Sequence, residues 1–248
     1  KACEQAEAEG TKKPPKPKKP KDLPPLTEEE LADLPKLPEG WMWVRLSNLC
    51  YSFEYGSSLK SECYGNIPVL RMGNIQNGYF DWNDLAFTNN ENEIKKYRLY
   101  NMDVLFNRTN SPELVGKTAI FNSHQPAIFA GYLIRINYTK NLINGYYINY
   151  FMNSIIAKKH GSKVKSFGVS QSNINATKLS NYPFPLTDLL DQNKIVFEIE
   201  SRLSVCDQLE KSIEDSLKKT EALRQSILKK AFSGDLTKEW REAHPDLI

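Results

Sequence analysis

The sequence predicts an α+β chain: a mixed domain built on a largely antiparallel, strongly curved sheet, followed by one long α-helix of coiled-coil type. Three observations lead there. Residues 41–190 alternate short β-type runs with Asn/Gly turns. Residues 191–233 run for more than forty positions without proline or glycine. Residues 11–26, "TKKPPKPKKPKDLPPL", are mostly lysine and proline, a composition that builds no core.

Each segment has its own physical reason. Residues 1–36 read as a linker, because proline fixes φ and neighbouring lysines repel, which keeps the chain extended and semi-rigid. Within it "LTEEELADLP" (26–35) predicts a short helix, with Thr27 as cap and Glu28 to Glu30 suiting a helix N-terminus. Residues 37–190 form the main domain, with strands expected in "IPVLRMGNIQNGYFDW", "DVLFNRTN", "KTAIFN" and "AIFAGYLIRINY". Asn77-Gly78 marks a hairpin turn, since both residues tolerate positive φ. "INGYYINYFMNSIIAKKHG" (143–161) has helical periodicity and ends at Gly161, a suitable C′ residue. A short helix is expected at 171–178, then a strand ending in Pro183 and Pro185. Residues 191–233 place Val196, Ile199, Leu203, Cys206, Leu209, Ile213, Leu217, Leu223 and Ile227 at spacings of three and four with one slip, where Thr220 fills the gap. That is an amphipathic helix of about 60 Å at 1.5 Å per residue. A short domain cannot cover such a stripe alone, so a partner helix is expected. Gly234 ends it, leaving 234–248 as a tail.

Composition bounds the function. The 248 residues are 40% hydrophobic and 25% charged, as in a soluble globular protein. No apolar run is long enough to cross a bilayer and the N-terminus shows no signal-peptide pattern, so the expected location is the cytoplasm. Cys3, Cys50, Cys63 and Cys206 lack a CxxC pair and suit reduced thiols; His124, His160 and His244 lack ligand spacing, so no metal site is expected. The net charge of +3 is unevenly placed: residues 41–190 carry 15 basic and 9 acidic side chains, and all twelve tyrosines. A basic, aromatic-rich domain between near-neutral flanks points toward nucleic acid.

Two enzyme motifs are suggested and fail. "NRTNSPELVGKTAIF" (107–121) ends in a Gly-Lys-Thr like a phosphate-binding loop. The required first glycine is Ser111, Pro112 removes a backbone N–H, and "TAIF" reads as a strand rather than the helix a P-loop opens. Asp84, Glu93 and Lys95 make a nuclease-like order only within an asparagine-rich loop. There is no Asn/Asp-Pro-Pro-Tyr/Phe motif and no glycine-rich S-adenosylmethionine loop, so no catalytic residue is expected. Trp41 and Trp43 suit packing at the domain edge better than base stacking.

Four stretches together resemble the specificity subunit of type I restriction–modification systems. "LPEGWMWVRLSNL" (37–49) looks like the opening of a target recognition domain, "VLFNRTNSPELVGKTAIF" (104–121) like its central strand pair, and "GVSQSNINATKLSNYPFPL" (168–186) like its exit. "RQSILKKAFSGDL" (224–236) looks like the family's helix terminus and is the most specific of the four. Family members usually hold two recognition domains and two long helices; this chain has one of each. It resembles the second half of such a subunit, either a shortened chain or a natural half subunit.

The resemblance implies a non-catalytic reader of double-stranded DNA. A separate modification subunit would methylate adenine at N6 with S-adenosylmethionine, and a separate restriction subunit would use ATP and Mg. Neither cofactor is then expected in this chain. The helix, through Val196, Ile199, Leu203, Leu209, Ile213, Leu217, Leu223 and Ile227, would pair antiparallel with a second half subunit or with the missing N-terminal half. The expected base contacts are Arg71, Asn74, Gln76, Asn77, Arg108 and Asn110, since Arg suits guanine and Asn or Gln suits adenine. Lys117, Lys163, Lys165, Ser170 and Gln171 are the expected phosphate contacts, with Ser111 in the same polar loop as Arg108 and Lys117. The competing reading is a basic globular head on a coiled-coil stalk that binds proteins and has no DNA specificity.

Overall fold

The computed structural model describes residues 23–167 and 171–247. Residues 1–22, most of the lysine–proline segment, lie outside the described residues. The chain divides into two units, up to Val196 and from Phe197 onward. In order the helices are α1 (Glu28–Ala32), α2 (Glu91–Tyr97), α3 (Gly145–Asn153), α4 (Ile155–Val164), α5 (Ala176–Ser180), α6 (Leu189–Phe232) and α7 (Lys238–Ala243). The strands are β1 (Met42–Arg45), β2 (Cys50–Tyr55), β3 (Ile67–Leu70), β4 (Ile75–Gln76), β5 (Tyr79–Phe80), β6 (Ala86–Thr88) and β7 (Asp103–Asn107). They continue with β8 (Thr109–Asn110), β9 (Thr118–Phe121), β10 (Ile128–Phe129), β11 (Leu133–Tyr138), β12 (Ser166–Phe167), β13 (Ser172–Asn173) and β14 (Pro183–Leu186).

A four-stranded antiparallel sheet, ordered β2-β11-β7-β9, lies at the centre of the first unit. Successive side chains of a strand point to opposite faces. Val104, Phe106, Ile120, Ile134 and Ile136 therefore enter one core, and Leu105, Ala119, Phe121 and Leu133 enter another. A sheet covered on both faces needs apolar residues throughout, which is why "VLF" and "AIF" are unbroken runs. The first core is closed by α3, α4, β14 and Val196. The second is closed by β3, β10 and α2. β3 pairs antiparallel with β6 and parallel with β10; every other pairing of the described strands is antiparallel. The mixed, largely antiparallel α+β architecture is the one the sequence predicts.

Several local expectations hold in detail. Thr27 caps α1 in a reciprocal capping box with Glu30. Asn77 and Gly78 turn the β4–β5 hairpin at φ of 51° and 85°. "TAIF" is a strand, and 107–118 is the loop joining β7 to its partner β9. Trp43 packs on Phe151 at 6.1 Å, and its indole N–H donates to Pro35 O. Pro183 and Pro185 lie within β14, whose one partner in its sheet is β1, so the missing N–H groups are tolerated.

Other expectations need correction. The helix expected over 143–161 is two helices broken at Ser154, which takes extended backbone (φ −68°, ψ 160°) and caps α4 through Ala157 N–H. Gly161 does not end a helix; it sits inside α4, where a Cβ would come within 2.6 Å of the Tyr182 hydroxyl. The short helix after Gln171 starts at Ala176, capped by Asn175, because 172–173 pairs as a strand with β8.

The long helix, α6, has 44 residues, about 66 Å at 1.5 Å per residue. Its first turns belong to the first unit. Gln192 is fully buried, donates to Leu142 O and Thr187 O, and accepts from Asn144 N–H. Val196, expected in the assembly stripe, is instead a core residue at 6% exposure. In the second unit Leu203, Leu209, Ile213, Leu217, Leu223 and Ile227 are all exposed. Gly234 at φ 80° ends the helix, and Arg241 donates to Gly234 O at 2.7 Å. No helix among the described residues is long and apolar enough to cross a membrane.

Candidate nucleic-acid interface

Two polar segments, the β4–β5 hairpin and the loop 107–118, are brought side by side by asparagines of α3. Asn149, fully buried, donates to Gly78 O at 2.9 Å. Asn153 donates to Thr118 O at 2.8 Å and accepts from Thr118 N–H at 3.2 Å. Ile120 N–H also donates to Gly78 O. Lys117 and Gln76 thereby meet, Nζ to Oε1 at 3.4 Å. Next to them Tyr79 and Tyr150 join hydroxyls at 3.0 Å, with Tyr79 exposed.

The loop has a tight neck. Asn107 N–H donates to Lys117 O and Gly116 N–H donates to Asn107 O, each at 2.8 Å, with Gly116 at φ 94°. Pro112 falls in the loop body, where Ser111 O accepts from Leu114 and Val115 N–H. Its backbone forms a hairpin loop that leads into a strand, so it cannot open a helix as a P-loop does. On the far side Asn110 and Thr109 pair with Ser172 and Asn173, and Lys165 donates to Pro112 O at 3.0 Å. The Glu113 carboxyl is held below its ordinary value by its own backbone N–H and by the Ser111 hydroxyl, with Lys165 adding to the effect. Glu113 thus offsets part of the positive charge here.

The family described as "Type I restriction modification DNA specificity domain" matches residues 38–219. The chain belongs to that family. The EcoKI specificity subunit of Escherichia coli (strain K12) is 32% identical over 196 residues, which is 77% of this chain and 42% of that subunit. The StySPI specificity subunit of Salmonella potsdam is 30% identical over 213 residues, 84% of this chain and 46% of that subunit. The specificity-domain chain therefore spans about half the length of these relatives. Among solved structures, the HsdS subunit of Thermoanaerobacter tengcongensis superposes with a TM-score of 0.57 at 22% identity, covering 81% of this chain and 47% of that one. A chain from a study of type I R-M complex assembly and conformational transition gives 0.63 at 20% identity, covering 80% and 47%. These two likenesses concern the fold.

Within this specificity domain the expected contact residues divide. Gln76, Asn77, Lys117, Arg108, Asn110 and Ser111 lie on the hairpin and the loop just described. Arg71 joins them at one remove: it follows β3, and its guanidinium grips Asp84 through the carbonyl at 2.7 Å and the carboxylate at 3.2 Å. Gln171 is exposed beside β13. Lys163 lies elsewhere, paired with Asp33 at 2.6 Å on the rim of a cavity of about 660 Å³ between α4 and residues 26–35. Ser170 lies outside the described residues. Asn74 is a correction: it is 3% exposed, its Oδ1 accepts from Arg71 N–H, and its Nδ2 donates to Asp81 O and Asn83 O. With both ends of the amide taken it has nothing to offer a base. Asp84, Glu93 and Lys95 do not assemble into a nuclease site; Asp84 holds Arg71 and Glu93 accepts from the Ser57 hydroxyl. Sequence reasoning missed Asn149 and Asn153, whose partners are 71 and 35 residues away.

Proposed function

We propose that the chain reads one half of a bipartite double-stranded DNA site as a specificity component of a type I restriction–modification complex. It contributes no catalytic residue. S-adenosylmethionine belongs to the methyltransferase subunit, which acts on adenine N6, and ATP with Mg to the restriction subunit. The observation that supports this reading most is the match of the specificity-domain family across both the basic domain and most of the helix. The geometry supports it too. Gln76, Asn77, Arg108, Asn110 and Lys117 sit at the hairpin and loop that α3 holds together, so polar side chains for base edges and cations for phosphates share one rim. The exposed stripe of α6 would pair antiparallel with an equivalent helix, from a second half subunit or from an N-terminal half, and so space two recognition domains. Its charged flanks, Arg202, Lys211, Lys218 and Arg224, would border a docking face for the methyltransferase.

The test is a salt titration of DNA binding by the assembled complex with Arg108→Ala and with Lys117→Ala. Both should weaken binding. Losing Lys117, a phosphate contact, should lower affinity about equally for all sequences and reduce the salt slope by roughly one, whereas losing Arg108, a base contact, should relax specificity at one position. Parent-like binding by both variants across the titration would overturn the assignment of this surface.

A further inference from the structure

Tyr55 ends β2 and is followed by Gly56 at a place where the backbone leaves no room. A Cβ on residue 56 would lie 2.3 Å from Phe129 O and 2.5 Å from Ala130 O. Glycine permits a close splice instead: Ser57 N–H donates to Phe129 O at 2.9 Å and Gly131 N–H donates to Ser57 O at 2.6 Å. The splice ties Gly131 to Ser57, two residues after Tyr55, and Arg108 reaches both Tyr55 and Gly131 from the end of β7. Its backbone is held on both sides, N–H to Tyr132 O at 3.0 Å and O from Ile174 N–H at 2.9 Å. Its guanidinium carbon lies 4.8 Å from the centroid of the Tyr55 ring, and Nη1 donates to Gly131 O at 3.2 Å. Nε is buried and has no hydrogen-bond partner among the described residues. The ring is itself anchored, because the Tyr55 hydroxyl accepts from Ala176 N–H at 2.9 Å.

A phosphate needs only a nearby cation, which a mobile lysine supplies. A base edge needs a guanidinium held in a fixed plane. Arg108 is held by a ring face, a carbonyl and two backbone bonds, with Nε turned inward. Nη1 gives one of its two N–H groups to Gly131 O; its other N–H and that of Nη2 form the end of the fork, two parallel donors matching guanine O6 and N7. We infer that Tyr55 is a positioning residue that aims Arg108 at one guanine of the half-site. This rests on the DNA-reading function proposed above and adds to it the base read and the residue that fixes the reader.

The experiment uses the whole complex with its methyltransferase on plasmid libraries randomised across the half-site, with methylated positions read by sequencing. The parent should require guanine at one position. Arg108→Ala should reduce that preference roughly tenfold to a hundredfold, as expected for loss of a bidentate contact. Arg108→Lys, which keeps the charge and loses the fork, should relax the same position. Tyr55→Leu should relax it too, while Tyr55→Phe, which keeps the ring, should choose as the parent does. Tyr55 is 39% exposed at a strand end, and thermal melting checks that each variant folds; Tyr55→Met replaces the leucine variant if that one melts early. Retained guanine preference in whichever of these folds, Tyr55→Leu or its replacement Tyr55→Met, overturns the positioning role. Arg108→Ala binding more weakly by an equal factor at every sequence, or relaxing a base other than guanine, overturns the base-reading role. A parent complex with no sequence preference at all overturns the proposed function itself, an outcome distinct from the other two.

Discussion

Asn74 and Asn77 stand three residues apart around one hairpin and do opposite jobs. Asn77 uses its tolerance of positive φ, at 51°, and keeps its side chain exposed. Asn74 points inward and ties Arg71, Asp81 and Asn83 together. The sequence made both legible as turn residues, because short polar side chains near glycine favour turns. It could not show which one turns inward, since that depends on partners seven and nine residues away meeting in space. The same limit applies to Arg108, whose ring partner Tyr55 and carbonyl partner Gly131 are remote in the chain. A difference in stability follows. Asn74→Ala removes the buried side chain that satisfies the half-buried Arg71 N–H and the Asp81 and Asn83 carbonyls, and should cost roughly 1–3 kcal/mol in urea unfolding. Asn77→Gly keeps the turn and should stay within about 0.5 kcal/mol of the parent. Equal stability of the Asn74 variant and the parent would refute this division of roles.

Among the elements, α1 and the segment around it form a strap whose attachment chemistry was only half visible. The cap at Thr27 was legible because capping is local. Arg45 was not, because its partners lie across the fold. Only 6% exposed, it donates to Pro24 O at 2.6 Å, to Pro25 O at 3.3 Å and to both Glu30 carboxylate oxygens at 3.1 and 2.9 Å. The break in 143–161 was hidden for a related reason: both halves keep the 3.6-residue rhythm against one core, and only the cap at Ser154 separates them. The strap should respond to acid. The Arg45 guanidinium lowers the Glu30 carboxyl below its ordinary 4.5, and the Lys163 ammonium lowers Asp33 below 3.8, with Lys159 adding to it. A depressed carboxylate contributes stability that is complete above its unfolded value and is lost as pH falls through the lower folded value. Nearby His160, lowered from 6.5 by burial, acts in the same direction as it is forced to protonate. Hydrogen exchange of residues 24–35, corrected for intrinsic rates, should therefore show docking intact at pH 7, weakening as pH falls below about 6.5 through His160 and further below about pH 4.5 through the carboxylates. Arg45→Ala should loosen the same residues at pH 7. If that variant protects them like the parent, the strap is held by something other than Arg45.

Across the whole molecule, the fold class and the long helix were legible, because each rests on periodicity, and period two and period 3.6 can be read from one chain. Sheet order was not: β11 pairs with β2 and β7, and β10 runs parallel to β3, through contacts that no local pattern encodes. Nor was the assignment of Val196, since the stripe on α6 serves two ends. At its start the stripe completes the domain core. From Leu203 onward the apolar side chains face outward, with Leu209 58%, Ile213 60%, Leu217 64% and Leu223 61% exposed. Burying a leucine-sized side chain is worth roughly 1.5–3 kcal/mol, so four such groups on one face favour a partner by several kcal/mol before the cost of association. Under the proposed function an equivalent helix would supply a matching stripe, and antiparallel pairing would let two recognition domains face two half-sites with twofold symmetry. Glutamates at two seam positions would place like charges against an apolar partner and one another. Leu209→Glu with Leu217→Glu should therefore shift the chain from dimer to monomer in analytical ultracentrifugation while circular dichroism still reports the folded domain. The same double variant should lose the methyltransferase in pull-down, if that subunit docks on the paired helices. A parent chain that stays monomeric at high concentration, or a double variant that still dimerises, would show that this stripe is not the pairing surface.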